Sequence, residues 1–162
     1  MPMAARGAAP RTPGAPGSKA ELETTTEELV FTLADLQNRL WAESRRSVLL
    51  VLQALDAGGK DGTIRKVFTG VNPQGVRVTS FKAPTPDELA HDFLWRIHAR
   101  TPAAGEIGVF NRSHYEDVLV VRVEDLVAEP VWRARYAAIR HFEDQLAASG
   151  TTIVKVYLHI SA

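Results

Sequence analysis

The chain has 162 residues, 45% hydrophobic and 23% charged, with no cysteine and with nineteen basic residues balancing nineteen acidic ones. That length suits one domain with a core of moderate size. Disulfides, thiol catalysis and cysteine–metal sites are excluded, no global charge draws the chain to nucleic acid or a membrane surface, and no apolar run approaches the about 20 residues of a membrane span.

Residues 1–20, centred on Pro-Arg-Thr-Pro-Gly-Ala-Pro-Gly, read as a disordered tail. Arg6 and Arg11, with no acid before Glu21, leave a transit peptide as the alternative, although amphipathic periodicity is missing. Residues 21–162 read as one folded core. From Glu21 to Arg46, Leu29, Leu33, Leu36 and Leu40 recur at helical spacing, with a capping box expected at Thr24–Glu27. Val48–Leu52 is an almost unbroken apolar run, read as a buried strand, and Thr63 to about Gly70 reads as a short helix. Val76–Phe81 is the second predicted strand. Pro86 opens a helix whose buried stripe is Leu89, Phe93, Leu94 and Ile97. Ile107–Phe110 is a third strand, and Val118–Val123 packs as a short helix. Val131–Ser149 is a helix with Trp132, Tyr136, Ile139, Phe142 and Leu146 on one side and Arg133, Arg135, Arg140 and Glu143 elsewhere. Thr152–Ile160, rich in β-branched residues, is a fourth strand.

Strands alternating with helices predict a parallel sheet covered on both faces. In such sheets ligands bind beyond the carboxyl ends of the strands. The polar segments fall there: Asp56–Gly62 after the first strand, Lys82 after the second, Asn111–Asp117 after the third, His159 and Ser161 after the fourth.

The stretch Asp56-Ala57-Gly58-Gly59-Lys60-Asp61-Gly62-Thr63 has the makings of a phosphate cradle. Glycines let successive N–H groups face one anion, and a lysine adds a mobile charge. The pattern G-x-x-x-x-G-K-[ST] is not met, since Ala54 stands at the first glycine and Asp61 follows the lysine. A plain strand-to-helix turn is therefore the alternative. Within a cradle, the carboxylate of Asp56 points to Mg²⁺ coordination or to orientation of an attacking phosphate oxygen. Lys60 neutralises phosphate oxygens, Arg112 can grip them bidentately, and Asn111 or Glu116 can hold the metal or its waters. The competing readings are a turn-capping Asp56 and an Arg112 paired with Glu116 or Asp117. The five histidines show no metal-ligand spacing. Only His114 falls near the site, and there a packed loop histidine is the favoured reading. Ser113 lacks the G-x-S-x-G surroundings of a nucleophile.

Residues 52–63, 70–76, 80–85, 91–96 and 110–120, in order and in register, resemble the type-2 polyphosphate kinase family, and the likeness covers about residues 25–162. The resemblance implies an α/β fold, a P-loop kinase-like three-layer sandwich with a mainly parallel sheet. It implies Mg²⁺-dependent phosphoryl transfer between inorganic polyphosphate and an adenine or guanine nucleotide. Carried over by position, Asp56 and Lys60 match the Walker A pair, with Asp56 also on Mg²⁺, and residues 57–63 (Ala57, Gly58, Gly59, Lys60, Asp61, Gly62 and Thr63) surround phosphate. Asn111 and Arg112 match the Walker B segment; Arg112 joins Asp56 and Lys60 in the catalytic set. Lys82, Asn111 and His114 are the implied nucleotide contacts, and Asp56, Asn111 and Glu116 the implied metal ligands. Many relatives have aspartate at the position of Asn111. The form Asn-Arg-Ser-His-Tyr-Glu is similar to the subgroup accepting both AMP and ADP, and its asparagine shifts more of the metal binding to Glu116 or water. Relatives continue into an arginine- and lysine-rich lid and a last strand, so the chain reads as C-terminally truncated and as weakly active or inactive by itself. A cytoplasmic homo-oligomer, without nucleic-acid or membrane partners, completes the expectation. The rival readings are another P-loop small-molecule kinase and a non-catalytic phosphate- or nucleotide-binding fragment.

Overall fold

The computed structural model describes residues 18–54 and 58–159. Four strands, β1 (Ser47–Ala54), β2 (Val76–Ser80), β3 (Ile107–Asn111) and β4 (Thr151–Leu158), form one sheet in the order β2-β3-β1-β4. Every pairing is parallel, with Val48 opposite both Ile107 and Thr152. Side chains alternate across the sheet. Leu49, Val51 and Phe110 face one core, which they share with Ile97, Ile139 and Phe142. Leu52, Ile107 and Val109 face the other, where Ile64, Leu33 and Leu40 pack. This double burial explains why β3 is buried at all five positions and why β1 reads as an apolar run. The predicted α/β sandwich with a parallel sheet is what the chain forms.

Helix α1 spans Lys19–Glu43. Its capping box is Ser18 with Glu21, not Thr24 with Glu27: Ser18 Oγ accepts the Glu21 N–H at 3.2 Å, and the Glu21 carboxylate accepts the Ser18 N–H at 2.9 Å. Thr24 instead donates its hydroxyl to the Ala20 carbonyl. Lys19 and Ala20, assigned to the tail from sequence, are thus helical, and residues 1–17 lie outside the described residues. Leu29 and Leu36 of the expected stripe are exposed, and Gln37 takes the buried place beside Leu33 and Leu40. Its amide oxygen accepts the Asn72 N–H at 3.1 Å, clamping the turn before β2.

Helix α2 (Lys60–Val67) begins three residues before the expected Thr63, because Gly59 adopts φ 71 at its N-cap. The single helix predicted from Pro86 is two, α3 (Pro86–Leu89) and α4 (Trp95–His98). Asp92 Oδ1 accepts the Leu94 N–H at 2.9 Å, an alternative to helical bonding that breaks the run. Leu89 is consequently exposed while Leu94 and Ile97 are buried. Helices α5 (Glu116–Val123) and α6 (Glu129–Ala148) complete the fold. Among the described residues no helix is long and apolar enough to cross a membrane.

Candidate active site

Strand β1 delivers the chain to the glycine–lysine turn. Asp56 and Ala57 lie outside the described residues. Beyond them Gly58 is buried, Gly59 caps α2, and the Thr63 N–H closes the first helical bond onto the Gly59 carbonyl at 2.9 Å. The N–H groups of Lys60, Asp61 and Gly62 therefore open the helix without intrahelical acceptors, which makes this end attractive to an anion. Among the described residues outside its own helical turn, nothing stands within 4 Å of where a Gly62 Cβ would project. Lys60 Nζ curls back to 3.5 Å from the Ala54 carbonyl, so its charge sits over the turn.

The tip of β3 meets this turn. Asn111, 8% exposed, donates from Nδ2 to Asp61 Oδ1 at 2.6 Å. Two residues predicted for the site from different strands are thereby joined. Arg112 follows in the left-handed region, φ 62, with its N–H on the Leu52 carbonyl at 3.3 Å. Its side chain lines a cleft of about 350 Å³ with Lys82, Arg96, Glu116, Asp117 and Arg135.

Two of these partners, Arg96 and Arg135, were missed from sequence. Arg96, buried, donates to the Lys82 carbonyl at 2.8 Å, reaches Glu88 at 3.6 Å and Asp117 at 3.5 Å, and lies over the Phe81 ring. Arg135, assigned only to the far side of its helix, donates to the Asp117 carbonyl at 2.7 Å. Asp117 is therefore held by Arg96 and Arg135. Burial nevertheless raises its pKa above the ordinary aspartate value, outweighing the pull of both guanidiniums. No periodicity marks a buried arginine, and only the position of Arg96 within His-Asp-Phe-Leu-Trp-Arg offered a signal.

His114 is fully buried, its ring edge-on to Phe142 and its Nε2 3.2 Å from Glu143 Oε1. That is the packed loop histidine favoured from sequence. The side chain packs against Phe142 and Glu143 of α6. The same carboxylate accepts from Tyr115 Oη at 2.7 Å and from Lys155 Nζ at 2.6 Å. Burial alone would raise the Glu143 pKa, but the bonds from His114, Lys155 and Tyr115 outweigh it and hold the pKa at about 2. Since this lies below the ordinary 4.5, the carboxylate stabilises the fold fully above about pH 4.5 and loses that contribution as pH falls through about 2. Glu143→Gln is expected to flatten the pH dependence of the melting temperature in that window, as followed by circular dichroism. His159 is exposed with its ring stacked on Tyr157, and Ser161 lies outside the described residues.

The donor chemistry suits a hard cation. Asn111 at the tip of β3 and Glu116 on the Arg112 cleft offer oxygen atoms, and among the described residues no group of three or more acidic, histidine or cysteine side chains is placed to hold a metal. Magnesium typically takes one or two carboxylates together with substrate phosphates and water.

A parallel sheet whose inner strand runs into a glycine–lysine turn, beside a polar neighbouring strand tip, places the molecule among α/β proteins of P-loop kinase-like fold. The profile of the polyphosphate kinase 2 (PPK2) family matches residues 17–162. An AMP/ADP-polyphosphate phosphotransferase of Meiothermus ruber is 60% identical over 145 residues, covering 90% of this chain and 54% of that protein. An ADP-polyphosphate phosphotransferase of Rhodopseudomonas palustris is 49% identical, covering 89% and 54%. The crystal structure of polyphosphate kinase 2 from Arthrobacter aurescens TC1 superposes with a TM-score of 0.89 at 48% identity, over 92% of this chain and 54% of that one. The chain belongs to the polyphosphate kinase 2 family. It spans about half the length of the relatives it matches.

Proposed function

We propose that the protein transfers a terminal phosphoryl group between inorganic polyphosphate and AMP or ADP. The observation that carries this reading is the 2.6 Å bond between Asn111 and Asp61, which brings the Lys60 turn and the Arg112 loop to one place at adjacent strand ends. Phosphoryl transfer depends on positioning and on charge stabilisation more than on covalent chemistry. The amides of Lys60, Asp61 and Gly62 face phosphate oxygens, and Lys60 neutralises them. Arg112 clamps the group in transit from the other side. Lys82, on the same cleft as Arg112, meets the nucleotide phosphate. Asp56, Asn111 and Glu116 are the residues we assign to magnesium, with water supplementing the neutral asparagine. Bound there, the ion neutralises charge on the phosphate oxygens. His114 supports the loop from beneath. The name of the Meiothermus ruber relative, at 60% identity, favours AMP and ADP over GDP, which figures in the name of a Mycolicibacterium smegmatis relative at 32%.

The test is incubation with Mg²⁺, AMP or ADP and polyphosphate, without ATP. Slow formation of ADP or ATP with shortening of the polyphosphate is expected, in keeping with the weak activity expected from sequence. Transfer to a small molecule from ATP alone would assign the protein to another class of P-loop kinase.

A further inference from the structure

The loop from Asn111 to Tyr115 has two sides. On one side Asn111 bonds Asp61, and Arg112 enters the cleft. The other side is anchored in polar interactions below the surface. Gln53 Nε2 donates to Ser113 Oγ at 2.8 Å, and that hydroxyl accepts the Tyr115 N–H at 3.2 Å. His114 and Tyr115 both meet Glu143 Oε1, while Lys155 from β4 takes Oε2 and lies over the Tyr115 ring. Glu143 is thus the point where α6, β4 and the β3–α5 loop converge, with a side chain only 13% exposed.

Arg112 has a Cβ and sits at φ 62, a region that side chains beyond glycine and asparagine seldom occupy. Such a conformation persists only where its neighbours over-determine it. Its neighbours here are Asn111, tied to Asp61, and Ser113, His114 and Tyr115, tied to β1 and α6. The carboxylate of Glu143 supplies the acceptor for two of these four residues. Without it, the fully buried His114 loses its Nε2 partner and Tyr115 Oη its carboxylate acceptor, which favours displacement of the loop.

We propose that Glu143 is a positioning residue: through His114 and Tyr115, and braced by Lys155, it holds the β3–α5 loop in the conformation that presents Arg112. The proposal rests on the phosphoryl-transfer reading only for its consequence in catalysis. The hold on the loop is a property of the fold.

Two readouts separate the parts. Hydrogen–deuterium exchange at amides 112–117 is expected to accelerate about tenfold or more in Glu143→Ala, with the amides of α1 and β1 unchanged. Tyr115→Phe, which removes one bond and keeps the ring, is expected to produce a smaller acceleration in the same amides and serves if Glu143→Ala does not fold. In the transfer assay Glu143→Ala is expected to lower kcat about tenfold with little change in nucleotide KM. Glu143→Gln, which retains the acceptor oxygen, is expected to recover most of that loss. In an Arg112→Ala background, Glu143→Ala is expected to cost nothing further, because the two act through one group. Unchanged exchange at 112–117, exchange raised evenly across the sheet, or independent effects of the two substitutions on kcat would each overturn the proposal. If the unsubstituted protein transfers nothing from polyphosphate, the proposed function fails, and the exchange experiment still judges the hold of Glu143 on the loop.

Discussion

Lys60→Ala is expected to slow polyphosphate-dependent phosphorylation of AMP or ADP about 100- to 1000-fold, the usual loss when a preorganised donor to developing charge is removed. The lysine stands at the first position of α2, with its ammonium drawn back over the turn towards the Ala54 carbonyl. A charge in that position follows the phosphoryl oxygens as they pass along the helix opening, where the first N–H groups already point outward. Stability should barely change, within about 0.5 kcal/mol, because the stem is half-buried and packs no core. Parallel measurement of initial rates and of urea midpoints checks both halves of the expectation. A rate close to that of the unsubstituted protein would remove Lys60 from the catalytic set.

Phe110→Ala is expected to give the largest loss of stability, about 3–5 kcal/mol. The ring has no exposed surface and meets Phe81 edge-on at 4.9 Å and 86°. Strand β3 lies between β1 and β2, so the cavity would open where no neighbour can collapse into it freely. Since a small domain has only about 5–15 kcal/mol in hand, the variant should approach the limit of folding. Urea titration should show a lower midpoint with an unchanged slope. Phe81 also carries the Arg96 guanidinium, and Arg96 holds the Lys82 carbonyl, so the damage should spread to the Arg112 cleft.

The elements that sequence could place are those whose burial repeats with the period of the element. Leu49, Val51 and Leu52 marked β1, and Trp132, Ile139 and Phe142 marked α6, because each lies on a face turned to the core. The Asn111 and Lys60 segments could be placed together from the rule that strand carboxyl ends converge, and the Asn111–Asp61 bond joins them. Other features depend on single polar atoms and leave no periodic trace. The break between α3 and α4 comes from Asp92 accepting one N–H, and the early start of α2 from one backbone angle at Gly59. Arg96, Arg135 and Glu143 look like ordinary surface charges in the sequence. Their partners are Lys82, Asp117, Tyr115 and Lys155, brought near by the fold from 12 to 28 positions away. The capping box shifted from Thr24 to Ser18 for a related reason: two candidate boxes stand six residues apart, and local pattern does not rank them.

The central claim is that the turn around Lys60 and the tip of β3 hold one chain of phosphates. Titration with tripolyphosphate and Mg²⁺, followed by amide ¹⁵N–¹H shifts, addresses it directly. Saturable shifts at Gly58, Gly59, Asp61, Gly62 and Arg112, absent in Lys60→Ala, are predicted. Shifts confined to other parts of the surface, with these five amides unmoved, would contradict the account.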